Sequence, residues 1–598
     1  MSTAGAPERE VPRDGVDLLR PKVWFETIKF SDGTELALDQ SDIVVFVGPN
    51  NAGKSAALRE LEVWVERSSH GLVIKGATLH KEGTQADLEA YLEANALKNV
   101  MSSLHYGGLG YNINQLSLPL YDNPQQFHHF APFFVKRLAT ETRIQDSNPA
   151  PSIALHSAPP THPIQILLMD EDLSKDISDK FRQAFGEDLT PFRAGGKNFP
   201  LYVGQKPAVP HGKDELSKEF VDALQNSNVA LQTQGDGMRS FASVMLHVLA
   251  ARTHSIQFLD EPEAFLHPPQ ARLLGRYIAE NTAGNPQLFI STHSTDILDG
   301  LLEGGADKVR IVRLRRDGDV NRVKELSKDQ TATVAKDTLS RFSGVFDGIF
   351  YEHVIICESD ADCMFYRSIL NLPLISGNRR PDVLFVHSAG KHRMAKLAET
   401  LRSLDVPVSV IADIDILNDE ETFKHLFNVL GGNWTDLEQS WKHISHAVLD
   451  QKPPLNAEQV TGLIKKQLEG VTGTGDFPDD KERAIKGIFK TKSPWSAMKL
   501  SGRSGLPTGE TISHFDSLSN LCSDQGLWIV PVGEIEGFCR SVGGHGPRFV
   551  ERVLEDRSLE TNPELQEARE FIRKIWLKAK PPSEGAANWA ASVNATSA

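Results

Sequence analysis

The stretch Gly48-Pro49-Asn50-Asn51-Ala52-Gly53-Lys54-Ser55 limits what this chain can become more than any other. It follows an apolar run, Ile43-Val44-Val45-Phe46-Val47, that reads as a buried strand. It precedes Ala56 to Leu61, which reads as a helix start. A G-x-x-x-x-G-K-S pattern between strand and helix is the signature of a phosphate-binding loop. Gly48 and Gly53 let the backbone curl until several N–H groups face one point, and the helix adds its positive end. Lys54 is then expected to reach the β- and γ-phosphates of ATP, and the Ser55 hydroxyl to hold its Mg²⁺.

A chain of 598 residues is too long for one core, so several domains are expected. No apolar run approaches the ~20 residues of a membrane span, and Met1 to Arg20 lacks an apolar signal core. Four cysteines show no paired or metal-type spacing, so a reducing cytoplasm is expected. The net charge of −15 does not favour a chain coated in nucleic acid but permits a local basic groove.

Along the first half, Met1–Lys22 reads as a flexible leader, and Val23–Phe30 with Glu35–Leu38 as an antiparallel pair. Residues 72–230 read as an arm or insertion, with helices at Thr84–Leu97 and Asp170–Phe185. Strands are expected at Phe134–Leu138 and Lys197–Val203. Gln234 to Ser240 precedes a helix expected over Phe241–Ala251. Ser255 to Leu259 forms a strand that ends in Asp260 and Glu261. Asp260 suits water-mediated contact with Mg²⁺ beside Ser55, and Glu261 suits orienting or deprotonating the attacking water. A further strand, Leu288–Thr292, ends at His293, placed to sense a γ-phosphate. Val309–Leu314 reads as a strand, and Lys324–Phe342 as a linker containing a helix.

This set resembles the ABC-type ATPase heads of chromosome-structure and double-strand-break repair ATPases. Gly48–Ser55 matches the Walker A loop, Asp260 and Glu261 the Walker B acids, and His293 the switch histidine. Gln234–Ser240 stands where the signature motif belongs but departs from L-S-G-G-Q. The resemblance implies ATP held between two heads, hence a homodimer or higher homo-oligomer. No long heptad run is present, which argues against a long coiled-coil arm.

The second half alternates strand and helix: His353–Cys357, Cys363–Leu370, Val383–Val386, Met394–Ser403 and Val408–Ala412. A parallel sheet follows from that order. Glu358, Asp413 and Asp415 fall at strand ends, where open α/β sheets carry their sites. Converging carboxylates repel unless a cation such as Mg²⁺ or Mn²⁺ neutralises them. In extended chain the Asp-x-Asp spacing projects Asp413 and Asp415 to one face, and Asp362 is positioned to join through the first helix. Trp528–Val532 reads as a strand leading to Glu534 and Glu536.

This half resembles the Toprim domain, and the whole resembles the overcoming-lysogenization-defect (OLD) nucleases and their Gabija-type relatives, which join an ABC ATPase to Toprim in this order. The resemblance implies an ATPase domain over 23–340, and over 341–598 a Toprim nuclease domain with helical additions and a C-terminal helical extension. It makes Glu534 and Glu536 candidates for a second metal and Lys499 a candidate near the scissile phosphate. Lys499 also fits a solvated helix surface, and Glu534 a turn. Lys391, His392, Arg393 and Lys396 fit either DNA phosphate contacts or a solvated helix face. The expected function is ATP-regulated, metal-dependent DNA cleavage in prokaryotic phage defence or DNA processing. Its partners would be DNA and a helicase or other defence protein, with no membrane. The alternatives are an ATP-switched DNA clamp, or a topoisomerase-like enzyme, disfavoured because no tyrosine follows Tyr366.

Overall fold

The computed structural model describes residues 20–579, apart from 101–102, 155–157, 251–253, 281–285, 337–344, 377–379, 451–456, 470, 472–476 and 490–493. Nearly all of the expected leader and the expected boundary at 340 lie outside the described residues. The chain divides into two compact units, Met1–Asp337 and Thr338–Ala598.

The first unit is built on a six-stranded sheet. Its order is Val320–Leu326, Val309–Asp317, Ile43–Val47, Gln287–Ser291, Ile256–Asp260, Val135–Leu138. All neighbours are parallel except the first pair. Ile43–Val47 is buried at every position, as a continuous apolar run in a parallel sheet requires. A strand is interposed between the phosphate-loop strand and the acid-bearing strand, with Ser291 paired to Phe46 on one side and Asp260 on the other. That register brings the Gly48–Ser55 loop, Asp260, Glu261 and His293 to one sheet edge.

The stretch 72–230 is not one arm. Ile74–Glu82 pairs with Lys22–Phe30 in a three-stranded antiparallel sheet, and Val135–Leu138 is an edge strand of the main sheet. The expected linker at 324 changes in part: Val320–Leu326 is a strand, while Lys328–Lys336 is the helix expected within it. The hairpin partner Val309–Asp317 supplies the hydrogen bonds that propensity alone did not predict. The helix expected over 241–251 starts earlier, at Asp236, and gives way after Met245 to a single π turn, Leu246–Ala250.

The second unit holds a four-stranded, all-parallel sheet in the order Val383–His387, His353–Cys357, Val408–Ala412, Leu527–Ile529. Its two central strands are buried throughout. Helix Asp360–Leu370 is fixed by a capping box between Ser359 and Asp362. Among the described residues no helix is long and apolar enough to cross a membrane.

Candidate functional sites

In the first unit the phosphate loop is held in a conformation few residues tolerate. Gly48 has φ +136° and a side chain there would collide with the Leu314 carbonyl; Gly53 has φ +94° and faces the Asn321 amide. Asn51 adopts φ +63°. Asn321 Nδ2 donates to the Ala52 carbonyl at 2.6 Å, so the Val309–Leu326 hairpin buttresses the loop from behind. Lys54 is buried, and its Nζ donates to the Gly48 and Pro49 carbonyls at 2.8 Å each. Pro49, Asn50, Ala52 and Ser55 complete the turn into helix Lys54–Arg67.

The acids stand one strand away. Asp260 Oδ1 accepts from Ser291 Oγ at 2.5 Å. Glu261 sits at φ +48°, an unfavourable backbone for a side chain of its size. Its N–H donates to the Ser291 carbonyl at 2.9 Å, and its own carbonyl accepts from Arg143 Nη2 at 2.8 Å and from the Ala264 N–H at 2.9 Å. His293 Nε2 lies 3.4 Å from Glu261 Oε1. Burial, with Lys54 nearby, lowers the imidazole to about 4, so it is neutral at pH 7.

Two residues of this site escaped the sequence reading. Arg143 is 1% exposed. It donates to the Asp260 carbonyl through Nη1 and to Ser240 Oγ through Nε, both at 2.8 Å. It therefore ties the helix after Gln234–Ser240 to both acidic residues. Burial pushes it down to about 10, against the pull of Glu263, Asp260 and Glu261, and leaves it protonated. Glu263 accepts from Thr292 Oγ1 at 2.6 Å and from the His293 N–H at 2.9 Å, while its other oxygen is buried without a partner. Burial raises its carboxyl. No signal in sequence marks an isolated arginine 117 residues before its partner.

In the second unit Glu358, Asp413 and Asp415 converge, each offering an oxygen within 4.8 Å of the others. Asp413 and Asp415 do not share an extended strand: the strand stops at Ala412, and Ile414–Asn418 turns as a 3₁₀ helix. The tighter turn keeps both carboxylates on the site. Glu534, Glu536 and His545 form a second such group. The strand before them ends at Ile529, and Glu534 opens a 3₁₀ turn. His545 was not anticipated; it stands in Gly543-Gly544-His545-Gly546, where Gly544 (φ +119°) and Gly546 (φ +58°) shape the loop.

Lys499 stands between the groups. Its Nζ is 2.8 Å from Asp413 Oδ2, 3.8 Å from Asp415 Oδ1 and 4.0 Å from Glu534 Oε2. Those reaches put oxygens of the two groups within about 7 Å, room for ions about 3.5–4 Å apart. The helix Pro494–Ser501 is anchored by buried Trp495 and Met498, which turns Lys499 inward rather than to solvent. Gly533, at φ +101°, lets the loop press on that helix: a Cβ there would collide with the Lys499 carbonyl.

Lys391 also turns inward. Its Nζ donates to the Asp415 carbonyl at 2.8 Å and to Asp415 Oδ2 at 3.1 Å, so it faces the acids rather than flanking DNA. His392 donates to or accepts from Thr422 Oγ1 at 3.0 Å, and Lys396 pairs with Glu399, both exposed. Asp362 is buried, but Oδ2 accepts from the Ser359 N–H at 2.8 Å and hydroxyl at 3.0 Å, and it belongs to neither three-residue group. Capping its own helix occupies that oxygen.

The electrostatics are those of an uncompensated cage. Burial raises the carboxyls of Glu358, Asp362 and Glu534, and pushes Asp413 well above its ordinary range. Burial opposes the Lys499 charge, yet Asp413, Asp415 and Glu358 hold its pKa above normal. Glu358 Oε2 and Asp415 Oδ1 are buried without hydrogen-bond partners. An all-oxygen donor set with two orphaned atoms, its Glu358 and Asp413 carboxyls raised by burial, is what a hard divalent cation satisfies.

A family model described as "AAA domain, putative AbiEii toxin, Type IV TA system" matches residues 123–299, which include Asp260, Glu261 and His293. The chain is 22% identical over 308 residues to the Old nuclease of Escherichia phage P2, covering 50% of this chain and 45% of that protein. It thus spans less than half the length of that relative. It is 26% identical over 109 residues to Uncharacterized protein MJECL11 of Methanocaldococcus jannaschii, 18% of this chain and 94% of that protein. Similar solved structures include the SMC head domain from Thermotoga maritima (12% identity, 52% of this chain, 100% of that chain, TM-score 0.27). Another is the SmcHead bound to the C-winged helix domain of ScpA (11%, 51%, 98%, TM-score 0.31). The first unit carries an ATPase domain, and the phage relative agrees with the OLD-type resemblance of the sequence.

Proposed function

We propose that this chain is an ATP-regulated, divalent-metal-dependent DNA endonuclease of the OLD type, acting in prokaryotic phage defence or DNA processing. The observation that carries the reading is Lys499, placed 2.8 Å from Asp413 and 4.0 Å from Glu534, between two groups of potential metal ligands. Glu358, Asp413 and Asp415 hold one cation, and Glu534 and Glu536 contribute to a second. Bound Mg²⁺ or Mn²⁺ supplies the Lewis-acid chemistry of phosphodiester hydrolysis. Lys499 offsets the negative charge that gathers on the phosphate as it is attacked. Lys391 braces Asp415 through both its carbonyl and its carboxylate. In this reading the second unit is a Toprim nuclease domain and the first dimerises around ATP. Incubation with supercoiled plasmid and Mg²⁺ or Mn²⁺, with and without ATP, tests it. Nicked or linear product lost in Asp413→Ala supports the reading. Intact plasmid under every condition, with ATP still bound, leaves the DNA-clamp alternative.

A further inference from the structure

We infer that His545 is a nitrogen ligand of the second cation and biases that site toward Mn²⁺ over Mg²⁺. The inference deepens the two-cation reading above and rests on it. Three observations place the residue. His545 Nδ1 is 2.7 Å from Glu536 Oε1, and ligand atoms of Glu534, Glu536 and His545 all lie within 4.8 Å of one another. Glu536 is steadied by the Gly546 N–H, which donates to the same Oε1 at 2.7 Å. The loop that carries the imidazole therefore also orients the carboxylate beside it.

Glu534 supplies the independent observation. It is only 6% exposed, yet no hydrogen bond reaches its carboxylate among the described residues. Its nearest cation, Lys499 Nζ, is 4.0 Å away, beyond hydrogen-bond reach. A buried carboxylate without a donor is costly. A cation shared with Glu536 and His545 removes that cost. Half-buried Lys499 stands between this group and Asp413, whereas the His545 side chain is 78% exposed. An exposed imidazole is free to swing from its carboxylate partner to a metal.

Donor chemistry then separates the sites. Glu358, Asp413 and Asp415 offer oxygen alone, which suits Mg²⁺ and Mn²⁺ alike. Adding imidazole nitrogen favours the later ion, because Mg²⁺ binds nitrogen poorly and Mn²⁺ accepts it. A simple exposed His–Glu ion pair is the competing account of the same geometry.

Mn²⁺ electron spin-echo spectroscopy on the full chain, with equilibrium dialysis, separates the two. Wild type is expected to bind two Mn²⁺ per chain, one with ¹⁴N coupling from a coordinated imidazole. In His545→Ala the coupling vanishes and Mn²⁺ affinity at one site falls by about 10–100-fold. In His545→Asp the coupling vanishes while two ions remain, with Mg²⁺ competing better. Asp413→Ala should lose the other ion and keep the nitrogen signal. Two Mn²⁺ without nitrogen coupling would overturn the role of His545 but leave the nuclease reading standing. No bound Mn²⁺ in wild type would remove both.

Discussion

Lys499 Nζ and Asp413 Oδ2 are 2.8 Å apart, and this contact joins a late helix to the end of a central strand. The lysine has more carboxylates around it than one charge can balance, since Asp415 and Glu534 also lie within 4.0 Å. Lys499→Met should reduce plasmid cleavage by about 10²–10³-fold, the loss typical of removing one group that stabilises developing charge. Metal should still bind, because the carboxylates remain. Cleavage assays paired with Mn²⁺ binding check both halves of that statement.

Asp413→Ala removes the most deeply buried carboxylate of the first group. Cleavage should fall by on the order of a hundredfold or more. Nucleotide binding, a property of the other unit, should be unchanged. Filter binding of labelled ATP beside a nicking assay reads both, and continued nicking by this variant would remove Asp413 from the site.

Arg143→Ala should lower both ATP hydrolysis and thermal stability. The arginine donates to the carbonyls of Asp260 and Glu261 and to Ser240, so its loss removes three charge-assisted hydrogen bonds, although Thr140 Oγ1 and the Ala264 N–H still reach the two carbonyls. A loss of about 1–3 kcal/mol in all is expected from these hydrogen bonds. Arg143→Lys keeps the charge but cannot span both carbonyls, and should recover stability more than hydrolysis. Calorimetry and a phosphate-release assay distinguish the two effects.

Lys54→Ala should weaken ATP binding by about 10–100-fold, the worth of one charge-assisted hydrogen bond. In the present conformation Lys54 donates to its own loop, at Gly48 and Pro49, so nucleotide must draw it outward. Titration of a fluorescent ATP analogue measures the change. Unaltered affinity would contradict the assignment of the loop.

Metal should stabilise the second unit in a pH-dependent way. Burial raises Glu358, Asp413 and Glu534 in the folded state. Unfolded carboxyls titrate near about 4. The metal-free folded chain thus holds its protons more tightly than the unfolded one. The contribution of these groups is full below the unfolded value and is lost as pH rises through the raised values. Divalent ions replace those protons, so the Tm gained on adding Mn²⁺ should grow between about pH 5 and pH 8. Melts in EDTA and in Mn²⁺ across that range check the sign.

What the sequence showed and hid follows from the range of the signals. The phosphate loop, its strand and its helix were legible because local steric demands, the φ of Gly48 and Gly53, dictate residue type at fixed spacing. Helix Met394–Ser403 was legible to the residue from its apolar period. The convergence of Glu358, Asp413 and Asp415 followed from parallel strands sharing one carboxyl edge. The inward turn of Lys391 was hidden, because its partner Asp415 is 24 residues away and no pattern encodes that contact. Arg143 and His545 were hidden for the same reason: each acts through tertiary neighbours while sitting in unremarkable local sequence. The edge strand Val135–Leu138 was visible as a strand, but its place in the main sheet was not.

The fourth strand of the second sheet, Leu527–Ile529, joins last in sequence, and the Lys499 helix and the Glu534 loop lock onto each other just beside it. Asp415 completes the first acidic trio, and both the Lys499 ammonium and the Glu534 loop come later in the sequence. On the proposed reading, a chain cut short before Pro494 would keep three carboxylates but lack the cation that stands between the two groups.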